Sequence, residues 1–415
     1  MPTDRRVVVT GIGVVAPNGI GADVWWEATR AGRSAIRPIS RFDTAKYPTR
    51  LAGEIDGFEP TEYVEQRLIV QTDRWTWLAL AAAEMALADA QFDPGEYEDR
   101  YRLSVITASS SGGNEFGQKE IQNLWDRGPI FVGAYQSIAW FYAATTGQLS
   151  IKYRMKGPCG VIVAEGAGGL EALWQARRTI RRGVDLVVSG GTEAPIGPYA
   201  LTCQLRNERL SEADEPEDAF RPFDARASGY VPGEGGAILI VEALDHAQER
   251  GAPQVYGEIV GYAATNDAGN PMHRSTDGTQ LARAMSLALE RAGVGPDEVD
   301  AIFADAAGVP EADAAEATAI REVFGARAGT VPVTAPKSMV GRLYAGGAPL
   351  DVAAALLAMR DGVLPPTVNL DEPAPGCELD FVRGEAREAA LDTVLVNARG
   401  FGGFNSSLVL RRAAA

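Results

Sequence analysis

Few residues in this 415-residue chain could carry covalent or acid–base chemistry, and they are scattered. A strand that passes through a glycine-rich corner into a helix is where an α/β protein presents a nucleophile, because the helix start offers aligned N–H groups and partial positive charge. The corner here is Ala164-Glu165-Gly166-Ala167-Gly168-Gly169, and it holds no serine, cysteine or threonine. Glu165 is its only reactive group, and a lone carboxylate at a helix start reads as a cap or dipole partner rather than a nucleophile. Cys159, just ahead of the strand, reads as a buried structural thiol. His246, in the charged segment DHAQER, reads as solvent-facing, and His273, in NPMHRS, as a loop residue with no acid or cysteine beside it. No nucleophile–base pair assembles from these positions. Cys159, Cys203, Cys377 and the two histidines show no CxxC or HxxxH spacing, so neither a disulfide framework nor a metal site is expected.

The elements that must position these residues follow from punctuation and periodicity. Gly11 and Gly13, Gly112-Gly113, Gly168-Gly169, Gly190-Gly191, Gly235-Gly236, Gly346-Gly347 and Gly402-Gly403 stand at junctions, which implies tight strand-to-helix corners. Between them β-branched runs such as VVVTGIGVV alternate with alanine-rich helix-period segments such as WTWLALAAAEMALADA, predicting an α/β fold with largely buried strands. Residues 161–183 and 333–362 each run through a glycine-rich corner into a Leu-acidic pair (Leu170-Glu171 and Leu350-Asp351) and an alanine-rich helix closed by a basic residue and glycine. Segments 100–113 and 298–311 are both strands ending in a small-residue loop. Two similar halves, 1–250 and 251–415, are therefore expected, meeting near residues 245–255.

Composition narrows the function classes. At 46% hydrophobic the chain can fill two or three cores, and 55 acidic against 39 basic residues leaves a net charge of −16, which repels a phosphate backbone. Nucleic acid is not expected as a partner. Apolar stretches such as Trp77 to Ala83 fall far short of the roughly 20 residues a bilayer span needs. The N-terminal run MPTDRRVVVTGIGVVAP lacks a cleavage site, so a cytoplasmic protein is expected.

Several long strings, VVVTGIGVVAPNG (7–19), FDTAKYPTRLAGEI (42–55), RRGVDLVVSGGTEA (181–194), RPFDARASGYVPGEGGAILIVE (221–242), PKSMVGRLYAGGAPLD (336–351) and RGFGGFNSSLVL (399–410), resemble β-ketoacyl synthases of the thiolase fold. The resemblance implies a duplicated, five-layered αβαβα architecture. It also implies a cysteine at the first corner, a histidine in a strand-end loop and a second histidine after KSxxG. Those positions fall on Gly166, Asp305 and Arg342 here, whereas the supporting glutamate and lysine, Glu316 and Lys337, are kept and read as structural. Claisen condensation needs a thiolate to carry the acyl chain and imidazoles to assist decarboxylation, so the chain alone is expected to be inactive.

VAEGAGGLEAL, FADAAGVPEADAAEA, PKSMVGRLYAGGAPLDV and IAWFYAATTGQLSI look like the chain length factor, or ketosynthase β subunit, of bacterial type II aromatic polyketide synthases. That resemblance implies a heterodimer with a catalytic ketosynthase, a tunnel whose shape sets poly-β-ketone length, and phosphopantetheine-linked acyl carrier protein substrates, with no cofactor in this chain. Most such subunits carry glutamine where Gly166 stands, a residue proposed to support malonyl decarboxylation. A residual decarboxylase using Glu165, Asp305 or Arg342, and a purely structural partner, are the alternatives. Asp305 and Arg342 also have the charges to form an ion pair in the space of the lost imidazoles. By the same resemblance the tunnel end is lined by Asn114, Gly117, Ile121 and Ile138. The first three share one face of a helix over roughly 10 Å, and ordinary interface packing is the other reading of all four. Gly117 adds no side chain and the others are smaller than phenylalanine, which predicts room for a chain of decaketide length or more. The apolar run Ile138 to Tyr142 would lie on the dimer face.

Overall fold

A computed structural model describes residues 5–207, 209–269 and 276–413; His273 lies outside them. Strand Val7–Ala16 is buried at every position, so it needs cover on both sides. It pairs antiparallel with Gly235–Ala243, and helix Arg74–Asp89 lies directly on it. A Cβ at Gly11 or Gly13 would run into the carbonyls of Ala86 or Ala82 on that helix, which is why glycine stands at these two places in the strand.

From that strand the first half-sheet runs outward through Gly235–Ala243, Leu186–Glu193, Leu103–Ala108 and Gly160–Ile162. The second runs from Gly257–Asn266 through Phe404–Arg411, Thr393–Gly400, Ala301–Phe303 and Pro332–Thr334, with Asp380–Phe381 added outside. Numbered by chain order within each half, both sequences read first, fifth, fourth, second, third, with the same antiparallel and parallel pairings. The duplication seen in the sequence is thus a duplication of topology. The halves join where Val8 and Val9 face Glu258 and Gly257.

Helices Gly168–Ile180 and Gly347–Asp361, the third-strand helices of the two halves, pack on each other between the half-sheets. Gly347–Asp361 is buried almost all round, as a helix covered on every side must be. One core cluster unites Leu170, Leu173, Leu356 and Leu357 with strand residues Val187 and Val396 from either half. Arg74–Asp89 and Ala144–Tyr153 cover the outer face of the first half, and Thr279–Ala292 and Pro310–Phe324 that of the second. These are the five αβαβα layers the resemblance implies. Asn114, Gly166, Asp305 and Lys337 follow the ends of parallel strands Leu103–Ala108, Gly160–Ile162, Ala301–Phe303 and Pro332–Thr334, where open α/β sheets place ligands. No helix among the described residues is long and apolar enough to cross a membrane.

Two readings of isolated residues change. Cys159 is exposed, because the strand it precedes, Gly160–Ile162, is an edge strand paired only with Leu103–Ala108. His246 is not solvent-facing: its ring is mostly buried edge-on against Phe92 and Tyr97, and its Nδ1 meets the buried Glu242 carboxylate, which Arg250 also binds.

Glu193 ends its strand fully buried and accepts the backbone N–H groups of Ser110 and Ser111 and, at 2.9 Å, the Ser111 hydroxyl. Burial outweighs those bonds and pushes its carboxyl up to about 7. A carboxyl raised in the folded state stabilises below its unfolded value near 4.5 and loses that contribution as pH rises through about 7. Glu193→Gln should therefore flatten the fall in stability between these pH values by about 2–3 kcal/mol. Urea unfolding at a series of pH values checks it; an unchanged slope would mean that other buried carboxyls carry the dependence.

Candidate functional site

The first corner leaves strand Gly160–Ile162, tightens into a single 3₁₀ turn over Glu165–Ala167 and enters the helix at Gly168. Glu165 sits at φ 47°, a left-handed conformation that curls its carboxylate back over the turn. Its Oε2 accepts the N–H of Gly166 at 2.7 Å and the N–H of Phe401, from the end of strand Thr393–Gly400, also at 2.7 Å. The reading of Glu165 as a cap partner is met with a partner that local sequence does not reveal. Two converging N–H groups that could stabilise an oxyanion are thus already taken by the chain's own carboxylate.

Gly166 is buried, and a Cβ built on it would lie 2.6 Å from the Arg399 carbonyl oxygen and 3.3 Å from Arg342 Nη2. Asp305 and Arg342, 37 residues apart, meet over this glycine, with Nη1 3.2 Å from Oδ2 and Nη2 3.4 Å from Oδ1. Arg342 Nη2 also donates to the Arg399 carbonyl at 3.1 Å, and Asp305 Oδ1 accepts the Arg399 N–H at 2.8 Å. Burial opposes the Arg342 charge, but Asp305 and Glu165 outweigh it and hold the guanidinium above its ordinary pKa. Between Gly166, Asp305, Lys337 and Arg342 only about 20 Å³ remains open. That admits about one water molecule and no acyl thioester.

Glu316 accepts the N–H groups of Asp305 at 2.8 Å and Ala306 at 2.9 Å, holding the loop on which Ala306 adopts φ 49°. Burial, then the Asp305 charge, raises the Glu316 pKa. Lys337 pairs with the buried Asp351 at 2.6 Å, and burial pushes that aspartate up to about 6. Each of these charged groups is engaged by other groups of the protein. No group of three or more histidine, cysteine, aspartate or glutamate side chains among the described residues could hold a metal ion.

Asn114, Gly117 and Ile121 do lie on one helix, Asn114–Arg127, and Ile138 in the single turn Gln136–Ala139. Asn114 lines a pocket of about 320 Å³ beside the filled corner; Gly117, Ile121 and Ile138 do not line it. The space that the missing side chain of Gly117 was expected to leave is not vacant: a Cβ there would fall on the indole ring of Trp140. Trp140 is the residue sequence reasoning missed at this face, although it stands in the IAWFYA run already singled out. Ile121, Leu124 and Trp125 are exposed on the helix, next to the segment that exposes Ile138, Trp140, Phe141 and Tyr142. So large an uncovered apolar surface is the mark of a protein–protein interface.

Comparison with known proteins agrees with this geometry. Residues 4–247 match the β-ketoacyl synthase N-terminal domain and residues 256–371 the β-ketoacyl synthase C-terminal domain. The ketoacyl synthase beta subunit of the tetracenomycin polyketide synthase of Streptomyces glaucescens is 55% identical over 413 residues, 99% of this chain and all of that protein. The structure of the ishigamide ketosynthase/chain length factor superposes with a TM-score of 0.92 at 31% identity, covering 99% of this chain and 100% of the other. A type II polyketide ketosynthase solved with its acyl carrier protein gives a TM-score of 0.89 at 29% identity, again over 99% of this chain and 100% of the other. The two-fold repeat, the five layers and these matches over nearly the whole chain together show that it belongs to the β-ketoacyl synthase family.

Proposed function

We propose that this chain is the non-catalytic subunit of a heterodimeric type II polyketide ketosynthase, and that it shapes the tunnel that sets poly-β-ketone length. The observation that carries the reading is the filled corner: Gly166 has no room for a side chain, and the Asp305–Arg342 pair occupies the place where acid–base groups would act. The catalytic cysteine belongs to a partner ketosynthase, and the acyl groups arrive on the phosphopantetheine arm of an acyl carrier protein. The ketosynthase beta subunit from Streptomyces glaucescens and the solved ketosynthase–carrier protein complex support both parts of that assignment. Residues 1–250 and 251–415 are its two ketosynthase-like halves. Against a residual malonyl decarboxylase stands the fact that Glu165, Asp305 and Arg342 are each engaged by other groups of the corner.

The tunnel end is assigned to Asn114, Gly117, Ile121 and Ile138, with Trp140 as the bulk that fills the Gly117 face. A growing chain cannot displace close-packed side chains without a penalty of roughly 1–3 kcal/mol. With the catalytic partner, carrier protein and a malonyl donor, Ile121→Phe should shorten the main product by at least one extension, and Trp140→Ala should lengthen it. Turnover should fall much less than length, because the reacting cysteine is in the partner. Mass spectrometry of the products reads this directly. If both variants assemble and turn over with the parental product lengths, these residues are packing alone and the tunnel assignment is wrong.

A further inference from the structure

Resting on the chain-length reading above, we infer that Asp73, with Arg41 beside it, is a positioning residue for product length: from the head of one helix it caps a second, Asn114–Arg127, and so fixes where Asn114, Gly117 and Ile121 stand. That helix is held mainly at its first turn. Of its 14 residues only Gly117 is fully buried, so packing within this chain does little to place it. Its first N–H groups need acceptors, and the residue that should supply one is Gly113, which has no side chain. Nothing larger fits there, because a Cβ on Gly113 would fall 2.0 Å from the Ala139 carbonyl oxygen. The cap has to come from elsewhere in the chain.

Asp73 supplies it. Its Oδ2 accepts the Phe116 N–H at 2.7 Å across 43 residues, while its Oδ1 accepts the Trp75 N–H at 3.3 Å and caps its own helix, Arg74–Asp89. One carboxylate thus closes two helix starts. Arg74–Asp89 lies against strand Val7–Ala16 and is buried over most of its length, so Asp73, itself 3% exposed, stands on the firmly packed part of the first half. Burial pushes its carboxyl up to about 6, so in neutral solution it is a carboxylate that accepts at both oxygens. Arg41 makes a second tie at the same turn, bridging Glu115 to the fully buried Glu234, whose Oε2 is 3.1 Å from Arg41 Nη1. Farther along the helix Gln118 accepts the Tyr199 N–H and Glu120 that of Gly133, and both of those residues are exposed. Only the first turn is fastened to the buried interior.

The two caps can be separated. Serine caps its own helix about as well as aspartate, but its side chain is one bond shorter and has a single oxygen. Asp73→Ser therefore keeps Arg74–Asp89 capped and takes the acceptor away from Phe116. In the heterodimer with carrier protein and a malonyl donor, it should lower the ratio of the main product to chains one extension longer or shorter about fivefold, the order of one lost hydrogen bond. That ratio does not depend on how much protein is active, so a loss of stability alone leaves it unmoved. Amide hydrogen exchange in the same heterodimer should quicken about tenfold over residues 114–121 and hold its rate over 74–89. Ile121→Phe is run alongside. If Ile121→Phe shortens the product while Asp73→Ser gives the parental distribution, Asp73 is a structural cap alone and the chain-length reading stands without it. If neither variant moves the distribution, that reading falls and takes the role of Asp73 with it. Unchanged exchange over 114–121, or exchange quickened equally over 74–89, would also overturn the assignment. Should Asp73→Ser fail to assemble, Arg41→Met, which frees the same turn at Glu115, must broaden the distribution in the same way, and parental lengths from it would refute the positioning role.

Discussion

Arg342→Leu is expected to destabilise the chain by about 3–5 kcal/mol, the usual consequence of stripping one member from a buried ion pair. Asp305 would keep a carboxylate in a site only 2% exposed, with the Arg399 N–H and its remaining neighbours to answer it. The Arg399 carbonyl would lose its guanidinium donor at the same time. Adding Asp305→Asn should recover most of the loss, since the amide oxygen can still accept the Arg399 N–H and no charge remains to be buried. Denaturation midpoints of the heterodimer at fixed protomer concentration report both effects. A single-variant loss below about 1 kcal/mol, or losses that simply add in the double variant, would show that the pair does not hold this corner together.

Gly166→Cys puts a thiol at the corner where the resemblance to β-ketoacyl synthases expects a cysteine, yet it is expected to leave condensation absent and to destabilise the fold by roughly 1–3 kcal/mol. The Cβ alone lies 2.6 Å from the Arg399 carbonyl, so the turn or the strand end must shift to admit it. The thiol would face Asp305 and Arg342 in place of imidazoles. The two N–H groups suited to a developing oxyanion would still be held by Glu165. Gly166→Ala is the control: it should lose the same stability, because the clash belongs to the Cβ and not to the sulfur. The assay pairs the variant with a ketosynthase partner whose own cysteine has been removed. Polyketide product from that pair would refute the argument, and a Gly166→Ala chain as stable as the parent would remove its steric part.

Much of this was legible in the residues. Strand and helix alternation, the repeat of corner plus Leu-acidic pair plus alanine-rich helix, and the absence of a nucleophile beside Gly166 are local properties. Each is carried by neighbours within a turn of helix or along one strand, where periodicity and side-chain type decide the outcome. The charges at 305 and 342 were equally visible, and so was their capacity to form an ion pair.

Tertiary structure alone decided how the corner is closed. Glu165 finds the N–H of Phe401 across 236 residues, Arg342 finds both Asp305 and the Arg399 carbonyl, and Trp140 lies over Gly117. Such contacts join the ends of different strands, and nothing in local spacing ranks one distant partner above another. The misread residues fail for the same reason. The exposure of Cys159 follows from its strand being last in its half-sheet, and the burial of His246 from the Phe92 and Tyr97 rings packed against it. Sequence by itself determined the duplicated α/β chain and the corner without serine, cysteine or threonine. The packing of strand ends from both halves decided that this corner is filled by the chain's own charges, because only there do residues remote in sequence share one desolvated volume.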